Sequence, residues 1–238
     1  MKVKIFDDDI GSVEYVDHMG SDLTIVNAAR VSFGVEKEEL NEKDIKLINY
    51  LMQHNHTSPF EHCVVTMRFT VPLFIRSQHH RHRTWAYNEI SRRYTSIDMK
   101  FYEPGKLRAQ HDSNRQASKE EYVNKLLVWT DAFGTGHSGH PSEAISRHNK
   151  TSLSVYESLV ASGVCREQAR SVLPQGLYTE YYGTVNLHNL LKFISLRVHK
   201  GAQWEIQQVA KACLKIAKEH YPHSVEAYIK KHGVEYES

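Results

Sequence analysis

The chain has 238 residues, long enough to bury a substantial core, with apolar (40%) and charged (24%) fractions ordinary for a globular protein. Thirty Lys and Arg against 28 Asp and Glu leave a net charge of +2, too weak to argue for bulk nucleic-acid binding. No stretch reaches membrane-spanning length and the opening MKVKIFDDDIG lacks the apolar run of a secretory signal, so a cytoplasmic protein is expected.

Met1–Phe6 alternates and reads as an edge strand. Ser21-Asp22 starts a helix whose buried face holds Leu23, Ile25, Val26 and Ala29. A second helix covers Glu42–His54, with Ile45, Ile48, Leu51 and Met52 at helical spacing, until His54–Pro59 breaks it. Cys63–Val71 is β-branched and aromatic, a strand. Pro72 is placed to open a helix running through Leu73 to Trp85, and Arg93–Tyr102 alternates as a further strand. Ser118 with Glu121 has the spacing of a capping box before Val123, Leu126, Leu127 and Trp129, so a helix is expected there. Gly134–Ser142 reads as a flexible loop, followed by a helix ending near Gly163. Leu177–Val185 reads as a strand. From Leu187 the pattern is helical, broken near Gly201, with Ile206, Val209, Ala210 and Cys213 on the buried stripe of the second helix and Pro222 closing it. The fold class that follows is mixed α/β of the α+β type: a small, mostly antiparallel sheet packed with long helices, in one domain over 1–238.

The chemistry concentrates in Gln78–Tyr94, QHHRHRTWAYNEISRRY, which holds Arg81, Arg83, Arg92 and Arg93. Were Leu73–Trp85 one helix, Arg76, His79 and Arg83 would share one face, and Gln78, Arg81, His82 and Trp85 another. A helix polar on several faces is either solvated all round or wrapped by ligands and neighbouring chains. Guanidinium forks match phosphate geometry, so anion recognition and a solvated basic face are the two readings. A metal site is disfavoured: the histidines are plentiful, but they form no closed ligand set and arginines interleave with them. RNA binding through the same run is disfavoured by the near-neutral charge. Gly134–Gly139 fits G-x-G-x-x-G, but it follows a helical pattern and runs into Pro141, which is the wrong context for a dinucleotide fingerprint. Cys63, Cys165 and Cys213 have no metal or redox spacing. The first and last read as small buried hydrophobes, and none reads as a nucleophile.

Arg81-His82-Arg83, seven residues, then Ser91 resembles the RHR-x7-S motif of flavin-dependent thymidylate synthases. His56–His62 (HTSPFEH), Tyr87-Asn88-Glu89, Arg170 with Leu173-Pro174, Thr184–Asn186, Leu196-Arg197 and Ala202–Ile206 (AQWEI) extend the likeness in order along the chain. The resemblance covers roughly 22–103 and 163–210. It implies a homotetramer with active sites at subunit interfaces, which would give the polar-all-round segment a purpose.

It further implies FAD contacts from Ser58, Arg81, His82, Arg83, Glu89, Asn186, His188 and Lys192. The dUMP contacts it implies come from Gln78, His79, His80, Arg81, Glu89, Ile90, Ser91, Arg92 (through its backbone), Arg93, Arg170 and Arg197. Arg197 would lie against the uracil ring and stabilise negative charge there, since a guanidinium does not lose its proton at working pH. NADPH and methylenetetrahydrofolate are the implied co-substrates, and no cysteine nucleophile is required. Ala86, where many members carry Ser, and His79-His80 before the motif depart from the pattern. Gly105–Ser162 matches poorly and is expected to be a helical insertion. Two other classes stay open on the residues alone: a flavin- and nucleotide-binding protein without turnover, and an RNA-binding module.

Overall fold

The computed structural model describes residues 1–115, 117–131 and 133–234. Its main sheet has the order β1 (Lys2–Lys4), β2 (Ser12–Met19), β3 (Val64–Pro72), β9 (Tyr178–Asn186), β4 (Ala86–Glu89), and every pairing is antiparallel. Strands β1 (Lys2–Lys4) and β2 (Ser12–Met19) lead to helices α1 (Asp22–Arg30) and α2 (Glu42–Gln53). Asn41 caps α2: its Oδ1 accepts from the Lys43 amide at 2.9 Å, while the Asn41 amide donates to Asp44 Oδ2 at 3.0 Å. Central strand β3 (Val64–Pro72) buries Val65, Met67, Phe69 and Val71 on one face, as the period of two requires. Arg68 and Thr66 occupy the other face. There Arg68 pairs with Glu180, and the Thr66 and Thr184 hydroxyls meet at 2.9 Å.

Helix α3 (Leu73–His79) and strand β4 (Ala86–Glu89) follow. Next come hairpins β5 (Arg108–Gln110) with β6 (Ser118–Tyr122), and β7 (Leu127–Thr130) with β8 (Gly136–Gly139). Helices α4 (Pro141–Ala161) and α5 (Arg166–Ala169) precede β9 (Tyr178–Asn186). Helices α6 (Leu187–Arg197), α7 (Trp204–His220) and α8 (Pro222–His232) complete the chain. Helix α7 is the spine of the helical layer, packed against β2, α3, α6 and α8, with Ile206, Val209, Ala210, Cys213 and Ile216 fully buried. No helix among the described residues is long and apolar enough to cross a membrane.

Five expectations are corrected. The helix expected from Ser118 is instead the β6 strand and the β7–β8 hairpin: the Ser118 hydroxyl accepts from Arg108 Nε across the hairpin at 3.0 Å and caps nothing. Of the segment 105–162, only 141–161 is helical in the long run expected. Gly134–Ser142 is not a loop throughout: it supplies β8 and the first turn of α4, whose Ser142 amide donates to His140 Nδ1 at 3.3 Å. Arg93–Tyr102 is not a strand. Strand β9 has two edges, taken by β3 and β4, and only Phe101 bridges to Leu177. The helix from Leu73 stops at His79, far short of Trp85, so the expected faces that included Arg83 do not form. Strand β2 and helix α8 were not anticipated; Pro222 opens α8 at its first turn as well as following α7.

Candidate active site

Past α3 the chain makes successive tight turns, with His82 N–H donating to His79 O at 2.9 Å and Trp85 N–H to His82 O at 3.3 Å. What holds these turns is aromatic. Trp85 is 5% exposed and packs edge-on to Phe69, His79 and Phe193, while the Tyr87 hydroxyl donates to the carbonyls of His79 (2.9 Å) and His82 (3.2 Å). In the turns before the buried Trp85, Arg81 and Arg83 are exposed. Gly183, opposite Tyr87 on β9, leaves the space that Trp85 and Phe69 fill.

His82 and Arg197 form the centre of the arrangement. Arg197 ends α6 and donates from Nε to His82 Nε2 at 3.1 Å. Because a guanidinium only donates, His82 must accept at Nε2 and carry its proton on Nδ1. Burial, then the charges of Arg197 and Lys192, hold the His82 pKa down to about 4, so the ring is neutral at working pH. Burial alone lowers the Arg197 pKa as well.

Glu89, at the end of β4, is clamped through one carboxylate oxygen. Its Oε1 accepts from Arg76 Nε at 3.1 Å and from the Thr179 hydroxyl at 2.7 Å. Ile90 N–H donates to Glu180 O at 2.9 Å and extends the ladder by one bond. Ser91 then begins a turn: its carbonyl accepts from Tyr94 N–H (3.0 Å) and its hydroxyl oxygen from Arg93 N–H (3.2 Å). The Arg92 side chain donates to Ile97 O (2.8 Å) and Tyr178 O (3.3 Å), which ties its guanidinium to backbone carbonyls of this chain. Arg93 is exposed and lies 5.5 Å from the Tyr94 ring centroid.

Other expected residues fall in different places. His79 is fully buried, its Nδ1 at 2.8 Å from the Tyr181 hydroxyl, and burial drives its pKa well down; the structure puts this ring in the core and not among the outward-facing residues. His80 stacks on Tyr87 at 4.0 Å. Gln78 donates from Nε2 to Gln203 Oε1. Asn186 caps α6, its Oδ1 accepting from Asn189 N–H at 2.9 Å, and its position lies two residues beyond Thr184, the partner of Ala86 in the ladder. The 3₁₀ turn holding Ser58 (Ser58–His62) packs against α6, which also carries His188 and Lys192 one turn apart. Arg170 sits exposed on a separate 3₁₀ turn, Arg170–Val172, and no hydrogen bond or ion pair among the described residues joins it to 78–93. Arg81, Arg83, Arg93 and Arg170 make no ion pair among the described residues.

Two of the three cysteines are closed off as nucleophiles, and Cys165 is exposed. Cys63 and Cys213 are fully buried; burial pushes the Cys63 thiol up to about 12 and raises that of Cys213 further. Tyr87, Arg76 and Thr179 were not anticipated as positioning residues. Their partners lie 5, 13 and 90 positions away, and no local pattern links them.

Residues 14–223 match the family described as thymidylate synthase complementing protein. The flavin-dependent thymidylate synthase of Thermotoga neapolitana is 42% identical over 230 residues, which is 97% of this chain and 95% of that protein. That of Thermus thermophilus is 42% identical over 214 residues, 90% of this chain and 74% of that protein. Among solved structures, the UMP/dUMP methylase PolB from Streptomyces cacaoi bound with 5-Br dUMP superposes with a TM-score of 0.79 at 32% identity, covering 98% of this chain and 99% of that one.

Proposed function

This chain belongs to the thymidylate synthase complementing protein family, and on that premise we propose that it is a flavin-dependent thymidylate synthase. It converts dUMP to dTMP, taking the one-carbon unit from methylenetetrahydrofolate and reducing power from NADPH through FAD. The observation that carries this reading is the Arg197–His82 pair: a guanidinium fixed in direction by a neutral imidazole, beside exposed guanidiniums that have no carboxylate partner among the described residues.

The donor set fits the ligands. FAD brings a pyrophosphate and dUMP a phosphate, and Arg81, Arg83, Arg93 and Arg170, with the Ser91 hydroxyl, are donors suited to both. Bound FAD supplies the hydride chemistry that completes the methyl group. Among this chain's own residues, Ser58, Arg81, His82, Arg83, Glu89, Asn186, His188 and Lys192 hold FAD. Gln78, Ser91, the Arg92 backbone, Arg93 and Arg170 hold dUMP. Arg197 faces the pyrimidine and stabilises negative charge as it develops at N3 and the adjoining carbonyl; it stays protonated throughout. No thiolate takes part, in keeping with the buried Cys63 and Cys213. The guanidiniums lie open on one chain, and no hydrogen bond or ion pair among the described residues joins Arg170 to the RHR segment, which supports active sites formed between the subunits of a homotetramer.

The test is tritium release from 5-tritiated dUMP with FAD, NADPH and methylenetetrahydrofolate, omitting each in turn. Release that needs FAD and NADPH, with dTMP formed only when the folate is present, is expected. No release from folded, FAD-loaded protein would refute the assignment. A parallel arm with 5-tritiated UMP checks the other nucleotide named for the PolB methylase.

A further inference from the structure

Gln78 is the first member of a chain of polar groups that runs away from the site. Its Nε2 donates to Gln203 Oε1, and Gln203 Nε2 donates to Glu205 Oε2 at 2.9 Å. Glu205, 5% exposed in the first turn of α7, accepts at Oε1 from the Tyr102 hydroxyl at 3.2 Å and from the Arg108 guanidinium. Arg108 opens β5 and also lies over Trp204, 4.6 Å from the ring centroid. No protein donor among the described residues reaches Gln78 Oε1.

An amide turns over with little change of shape, so its neighbours decide which end meets a ligand. A carboxylate paired with arginine only accepts. Glu205 therefore obliges Gln203 to turn its Nε2 inward and its Oε1 toward Gln78. Gln78 must then spend its own Nε2 on Gln203, which leaves its oxygen open.

We infer that Glu205 is a positioning residue for the nucleotide: through Gln203 it sets the polarity of the Gln78 amide, so that Gln78 accepts a hydrogen bond from an N–H or O–H of the bound nucleotide. The inference rests on the dUMP reading above and deepens it. It also gives the β5–β6 hairpin a task, because Arg108 compensates the buried Glu205 charge that anchors the relay.

Two variants test this on the FAD-loaded protein. Glu205→Gln creates an amide that can donate as well as accept, so the relay can turn over. Gln203→Leu cuts the relay and leaves Glu205 with Arg108 and Tyr102. Each is expected to weaken dUMP binding about three- to tenfold by titration calorimetry, in KM and not in kcat. Neither should add a further loss in a Gln78→Ala background. With N3-methyl-dUMP and with the 3′-deoxy nucleotide, whichever analogue lacks the donor should bind wild type and Glu205→Gln alike, which tells the base N–H from the ribose hydroxyl.

If wild type binds dUMP and Gln203→Leu binds it as tightly, the relay is overturned, and this holds whether or not Glu205→Gln folds. A penalty undiminished in the Gln78→Ala background overturns it too, as does sensitivity retained toward both analogues. A folded, FAD-loaded wild type that does not bind dUMP overturns instead the functional reading beneath it.

Discussion

Gly183→Ala tests how the sheet supports the active-site turn. Gly183 lies between Met67 on β3 and Tyr87 on β4, in the middle of the ladder. A Cβ there would stand 2.9 Å from Phe69 Cε2 and 3.1 Å from Trp85 Cε3. Neither ring has room to yield: Phe69 is 0% and Trp85 5% exposed, and both pack against His79 with centroids 4.8 and 4.5 Å away. Overpacking of this kind costs about 1–3 kcal/mol, and losing a glycine from the unfolded chain returns about 0.4–1 kcal/mol. A net destabilisation of about 1–2 kcal/mol follows, or about 2–8 °C in Tm for a chain of this size. Trp85 anchors the turn that carries Arg81, His82 and Arg83, so FAD affinity should fall as well. Thermal unfolding of FAD-free protein reads the first effect and flavin fluorescence titration the second. Phe69→Leu added to Gly183→Ala should recover part of the Tm by opening space beside the new methyl. A Gly183→Ala melting curve within about 1 °C of wild type would refute the reasoning.

His82 predicts a pH effect on stability. Its folded pKa, held at about 4, lies below the ordinary 6.5, so between these values the unfolded chain binds the extra proton. The contribution is intact above about pH 6.5 and is lost as pH falls through about 4. It amounts to about 3 kcal/mol at most and to roughly half that after solvent screening. Urea unfolding of FAD-free protein between these pH values should show the fall, and His82→Asn should flatten it; an unchanged slope in the variant would count against a neutral His82. Arg170→Ala should weaken dUMP binding about ten- to a hundredfold and leave FAD binding intact, checked by calorimetry. Arg197→Lys keeps a charge but loses the Nε bond to His82; turnover should drop about a hundredfold or more with both ligands still bound, measured by tritium release at saturation. Replacing Cys63, Cys165 and Cys213 together should leave turnover largely intact, and a folded triple variant without activity would overturn the cysteine-independent mechanism.

Much of the framework was legible because it depends on local periodicity. Helices α1, α2, α6 and α7 carry apolar residues every three or four positions, and β3 and β9 are rich in β-branched and aromatic residues. The RHR-x7-S spacing pointed to the family for a similar reason, since its residues are near neighbours in the chain. The failures came where a local signal had a competing partner. Ser118 has the sequence of a cap, yet Arg108 engages its hydroxyl across a hairpin. Arg93–Tyr102 has the alternation of a strand, yet β4 had already taken the open edge of β9.

Amino-acid order alone thus determined which segments bury a face, where arginines and histidines cluster, and that Cys63 and Cys213 are packing residues. It did so because those properties are set by residue type and by spacings of two, three and four. Tertiary structure alone decided that the helix after Pro72 stops at His79, that His82 is neutral against Arg197, that Glu89 is clamped by Arg76 and Thr179, and that Gln78 answers to Glu205. The last three bring together groups 13, 90, 115 and 125 positions apart in the chain, where the direction of a hydrogen bond and the cost of a charge are fixed by neighbours that no local spacing reveals.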